Sequence, residues 1–232
     1  MNPSRPRRID LLYQDDHLVA VNKPAGITTI HDAARPDERD LHEMLEARFG
    51  RLWPVHRLDR DTSGVIIFAR TEASHRTLSE WFEGRDVTKI YHAIVVGSPP
   101  WTERTADAPL RVDGDRRHRT VVDAVRGKPA VTHFRVLQRL KRYVLVEARP
   151  ETGRTHQIRV HAALLGHPIA ADDLYGDGRP IFLSHLKRDY RSNSPEELPL
   201  MGRAALHAWR LILNRPDTGE PLELHAPYAK DF

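Results

Sequence analysis

The sequence predicts an α+β fold, a largely antiparallel mixed sheet with a few flanking helices. Three observations carry that prediction. Apolar runs of strand length recur along the 232-residue chain and mostly follow one another through short polar turns. Segments whose apolar residues repeat at helical spacing are few. Those segments do not alternate regularly with strands, as a doubly wound parallel sheet would require.

Residues 9–22 (IDLLYQDDHLVAVN) read as two short strands around the turn QDDH, and NKPAG stops the second. Asp40 precedes Leu41, Met44, Leu45 and Phe49 at helical spacing, and Gly50 follows, so 41–49 is a capped amphipathic helix. Gly64 opens GVIIFAR, a continuous apolar run of the kind found in buried strands. Thr71 caps a helix with Leu78, Trp81 and Phe82 along one side. KIYHAIVVG (89–97) is a strand, and AVTHFRVLQRL and YVLVEARP (130–150) flank LKR as a hairpin. HQIRVHAALLG (156–166) is a helix ended by Gly166. Residues 187–203, rich in Ser, Pro, Asn and charge, are expected to form a mobile loop. LHAWRLILN and PLELHAP (206–227) are strands joined across RPDTGE. The expected organisation is a basic tail over 1–8 and one domain over 9–232, with no separate module ahead of the first strand.

The formal charge of +4 favours an anionic partner. Basic residues cluster at RPRR (5–8), DRRHR (115–119) and RGK (126–128), and arginine heavily outnumbers lysine. The planar guanidinium fork suits phosphates and base edges better than the ammonium of lysine. The absence of cysteine excludes disulfides and thiolate metal sites. MNPSRPRRIDLLY is no signal peptide, and no apolar run approaches the roughly 20 residues of a membrane span. A cytoplasmic, soluble protein is expected.

The 14 histidines form no HExxH pair, and His156 and His161 diverge by about 140° around a helix, so no catalytic metal is expected. ETGRT (151–155) and DTSG (61–64) match neither a Walker loop nor GxGxxG, so no nucleotide cofactor is expected; Gly64 and Gly153 read as turn residues. Ser63 is not in a GxSxG elbow. Carboxylate chemistry remains. In HRLDRDTSG (56–64), Asp59 lies between Arg57 and Arg60. Nearby positive charge keeps a carboxylate ionised, which suits a nucleophile or base rather than an acid. Glycoside hydrolysis needs a second carboxylate; Asp61 is close in sequence, but its side chain diverges in an extended turn and N-capping is its commoner use. On residue chemistry alone, a surface ion pair remains the plainer alternative for Asp59.

HRLDRDTSG followed by a buried strand resembles the catalytic motif of the RluA-type RNA pseudouridine synthases, HRLD, a variable pair, then TSG. VNKPAG (21–26) resembles that family's NKPxG segment, KIYHAIV (89–95) its KxYxAxV strand, and GKPAVTHFRVL (127–137) its GKPAxT strand. RPETGRTHQIRVHAALLGHPI (149–169) resembles PxTGRxHQIRxHxxxxGHPI, and LHAWRL (206–211) and LHAP (224–227) fit the closing strands. The matches occur in the family's order across nearly the whole chain.

The resemblance implies a pseudouridine synthase-like catalytic domain that isomerises uridine in tRNA or rRNA, without cofactor or metal, as a monomer. It implies that Asp59 is the essential aspartate, that Tyr91 stacks near the target uracil and that Arg159 pairs with Asp59. Arg57 matches the arginine thought to fill the space left by the extruded base, with Arg60 beside it addressing RNA. The stretch RVDGDRRHRTVVDAVRGK (111–128), with Arg116, Arg117 and Arg119, falls where the family carries a variable RNA-gripping insertion. Two rivals stand beside this reading: a non-catalytic RNA-binding protein, and a ribonucleoside hydrolase releasing free uracil.

Overall fold

The computed structural model describes residues 9–32, 37–187, 190 and 197–232. The basic tail over 1–8, and residues 188–189 and 191–196 of the expected mobile loop, lie outside them. In chain order the elements are β1 (Asp10–Gln14), β2 (Leu18–Lys23), α1 (Leu41–Phe49), β3 (Trp53–Pro54), β4 (Ser63–Ala69), α2 (Glu72–Gly84), β5 (Thr88–Val96), β6 (Glu103–Asp107), β7 (Leu110–Arg111), β8 (Val121–Val122), β9 (Val131–Arg139), β10 (Tyr143–Pro150), α3 (Gln157–Leu164), α4 (Leu183–Leu186), β11 (Leu206–Asn214) and β12 (Pro221–His225). The class is α+β, and every strand pairing whose register is defined is antiparallel. The chain divides into two compact units, residues 1–88 with 208–229, and residues 89–207 with 230–232.

In the first unit β2 pairs with β1 and β4, β3 adds to β4, and β12 pairs with β11. The turn QDDH is closed by Asp15, whose Oδ1 accepts from the backbone N–H of His17 and of Leu18, both at 2.8 Å. Asp40 caps α1 by accepting from Glu43 N at 2.8 Å, and Gly50 ends it at φ 77°. Thr71 caps α2 through Ser74 N. Every residue of β4 is buried, which explains why its sequence is continuously apolar rather than alternating. Complete burial of each large apolar side chain there contributes about 1.5–3 kcal/mol. Gly64 cannot be replaced: it has φ 119°, and a Cβ there would collide with the Ala208 backbone.

In the second unit β10 pairs with β5 and β9, and β6 pairs with β9 at an edge. Ala93, Val95, Phe134, Val144, Val146 and Ala148 meet Ile158 and Ala162 of α3 in one core. The strands β3, β6, β7 and β8 were not legible in the sequence. Three of them have two residues each, too few for a period, and β6 (ERTAD) is an exposed, charged edge strand. Among the described residues no helix is long and apolar enough to cross a membrane.

Candidate active site

The loop carrying Asp59 is fixed by its neighbours. Thr29 Oγ1 donates to the Leu58 carbonyl at 3.0 Å and accepts from Leu58 N at 3.1 Å. His56 Nε2 accepts from Ile67 N at 3.1 Å, and its ring stacks on Phe82 at 4.5 Å between centroids. Asp59 O accepts from Thr62 N, closing a turn, and Arg60 O accepts from Gly26 N at 2.8 Å. Lys23, fully buried, donates to the carbonyls of Pro24 (3.1 Å), Ile27 (2.8 Å) and Arg60 (3.0 Å). A buried ammonium is tolerated because those oxygens replace its water. The NKPAG and HRLD segments, far apart in sequence, are therefore one structure. Asp59 is half-buried on it and Arg57 is exposed. The guanidinium of Arg60, partly exposed, lies against Glu38 at 3.1 Å.

In the second unit Tyr91 is half-buried on β5, opposite Ala148 of β10, and packs on that unit's core. The motif GRTHQIRVH docks α3. Thr152 Oγ1 donates to Gln157 Oε1 at 2.6 Å, and Gln157 Nε2 donates to Val131 O and Thr132 Oγ1. Thr132 Oγ1 then donates to His161 Nδ1 at 2.9 Å, and His161 Nε2 donates to Ala108 O at 3.1 Å. Each group has one direction only, which fixes the tautomer of His161. Burial holds its pKa below the ordinary histidine value.

That docked helix carries Arg159, itself buried. Its Nε and Nη2 donate to the two carboxylate oxygens of Asp172 at 2.7 and 2.8 Å. Asp172, which holds this edge of the guanidinium, is a residue that sequence reasoning missed. Asp172 Oδ1 also accepts from the N–H of Leu174 and of Tyr175. Burial alone would raise its pKa, but Arg159 and these N–H groups outweigh it and hold the carboxyl below the ordinary value. The guanidinium also stands over the Tyr175 ring at 5.2 Å. Burial raises the Tyr175 phenol, which shares a hydrogen bond with His156 Nδ1 at 3.0 Å and accepts from Thr120 N at 3.0 Å.

Within 111–128 the arginines divide by environment. Arg119 donates to Asp115 through Nε at 2.8 Å and to Leu174 O through Nη1 at 2.9 Å, so it ties the hairpin to the loop that holds Arg159. Arg111 is likewise spent on Asp123 at 2.6 Å; the N–H of Arg126 and then Arg111 hold that carboxyl at about 2. Arg116 and Arg117 are exposed.

A carboxylate held on a braced loop beside an exposed arginine is chemistry that suits an anionic substrate. Comparison with known proteins makes the class specific. A sequence profile of the RNA pseudouridylate synthase family matches residues 17–164. The chain is 40% identical over 230 residues to the ribosomal large subunit pseudouridine synthase D of Xanthomonas campestris pv. campestris, and 38% identical over 234 residues to that of Pseudomonas aeruginosa. These alignments cover 97% of this chain and 67% and 69% of those proteins, so it spans about two thirds of their length. The solved structure of human RNA pseudouridylate synthase domain containing 1 matches with a TM-score of 0.73 and 27% identity, covering 98% of this chain and 86% of that one. The chain belongs to the RNA pseudouridylate synthase family, enzymes that isomerise uridine in RNA to pseudouridine. Membership favours isomerisation over passive RNA binding or uracil release.

Proposed function

We propose that this chain isomerises a uridine of ribosomal large-subunit RNA, with Asp59 as the acting carboxylate. The choice of RNA is supported by the names of the relatives in Xanthomonas campestris and Pseudomonas aeruginosa. The choice of Asp59 rests on one observation: Lys23, Thr29 and His56 brace the short loop that carries it. Preorganised placement of a reacting group is a large part of catalysis.

In the reaction the bond between the ribose anomeric carbon and uracil N1 breaks, and carbon 5 bonds to that carbon instead. The hydrogen of carbon 5 leaves as a proton, and N1 takes one up. Asp59 acts by adding to the anomeric carbon or by removing a ribose proton to give a glycal-like intermediate. Extrusion of the target costs a few kcal/mol. Stacking on Tyr91, worth about 1–3 kcal/mol, offsets much of it. Arg159 orients Asp59, and Arg57 occupies the space that the base leaves. Arg116 and Arg117 contact phosphates. The enzyme works as a monomer without metal or nucleotide cofactor.

The test is incubation with ribosomal large-subunit RNA and with tRNA, each carrying tritium at uracil carbon 5. Tritium release from the ribosomal RNA, with the chain unbroken and pseudouridine in it, is expected. Release from tRNA alone overturns the substrate, free uracil points to a hydrolase, and binding without release points to a binding module.

A further inference from the structure

A half-open hollow of about 390 Å3 lies in the second unit, between β8, the solvent side of α3 and the loop after Asp172. Apolar side chains line part of it: Val121, Val122, Val160, Ala163, Leu164 and Leu174. Two of these, Val122 at 42% and Leu164 at 51%, are notably exposed for aliphatic side chains. Charged side chains line it as well: Arg117, exposed and with no carboxylate on its guanidinium among the described residues, and Asp173, also exposed, whose Oδ1 lies 3.7 Å from Arg159 Nη2. Arg119 also lines it but is committed to Asp115 and Leu174 O. Tyr175 belongs to both places, lining the hollow and carrying the Arg159 guanidinium.

We propose that this hollow is a second nucleotide subsite, taking an unstacked base of the substrate RNA other than the target uridine. The inference rests on the RNA substrate of the family. The volume is in the range of small-ligand sites. An apolar lining suits the face of a base, and single-stranded RNA is read by splaying bases out onto such surfaces or onto guanidinium planes. Arg117 offers that plane or a phosphate contact. Asp173 accepts only, so it favours a base edge that presents donors, such as an exocyclic amine. A protein partner is disfavoured because the hollow is small and carries Arg117 beside exposed Arg116.

The test is an abasic scan of the substrate RNA against the wild-type enzyme and against Ala163→Trp, which fills the hollow from a partly exposed helix position. Removal of one non-target base is expected to weaken binding to the wild type about tenfold. Ala163→Trp should weaken intact RNA by a similar factor and be indifferent to loss of that same base. Arg117→Ala, exposed and unable to disturb the core, should share part of the effect. If the enzyme isomerises the RNA but no base removal couples to Ala163→Trp, or if Arg117→Ala binds as the wild type does, the subsite is wrong. If tritium release fails for the wild type, it is instead the proposed function that falls.

Discussion

Asp172 governs where the guanidinium of Arg159 points. Both side chains are buried, and removing one member of such a pair leaves the other charge uncompensated, at a cost of about 3–5 kcal/mol. Asp172→Ala is therefore expected to lower the unfolding free energy by about that amount in denaturant titrations. Asp172→Asn should lower the single-turnover rate about tenfold or more, about 1.4 kcal/mol of barrier, with RNA affinity nearly level. The carboxyl titrates below its ordinary value of 3.8. A depressed carboxyl stabilises the fold above its unfolded value, and that contribution is lost as pH falls through the folded value. Acid unfolding of wild type should thus exceed that of Asp172→Asn in its pH dependence below about pH 4. Asp172 was not legible in the sequence, because it falls in none of the motifs that carry a chemical signature. Arg159 lies thirteen residues away and meets it only through the turn after α3. Asp59 was legible because the HRLDRDTSG motif that carries it is contiguous in the sequence.

At the scale of elements, α1, α2 and α3 were read correctly because their signals are local, whereas the four-residue α4 was not foreseen. Asp40 and Thr71 make the cap bonds that their positions announced, and Gly50 takes the positive φ. The docking of α3 was not legible, because Gln157 and His161 find partners on β9 and beside β6. That docking carries its own prediction. His161 is neutral when buried, and its folded pKa lies below the ordinary 6.5. The unfolded chain binds the proton more readily, so stability is fully present above the ordinary value and falls as pH drops towards the folded one. The loss between about pH 7 and pH 5 should be smaller in His161→Gln than in the wild type, measured as the difference in urea midpoints. An equal slope in both proteins would remove His161 from the account.

For the whole molecule, the arginine surplus divides into side chains held by carboxylates and side chains left exposed, a division that composition cannot show. Arg60 and Arg119 are held by Glu38 and Asp115, whereas Arg116 and Arg117 are exposed. Neutralising Arg116 and Arg117 together should flatten the log–log salt dependence of RNA binding by roughly two units, one per phosphate contact. Arg119→Ala should change the slope less and lower thermal stability more, because Leu174 O and Asp115 lose their donor. The central claim is that one carboxylate on a braced loop performs the isomerisation. It is tested most directly by single-turnover release of tritium from carbon 5 of uridine in ribosomal large-subunit RNA, comparing the wild type with Asp59→Asn. The account predicts a fall of about a thousandfold or more, at least ~4 kcal/mol of barrier, with RNA binding kept within about tenfold. Turnover by Asp59→Asn at a rate near that of the wild type would contradict it.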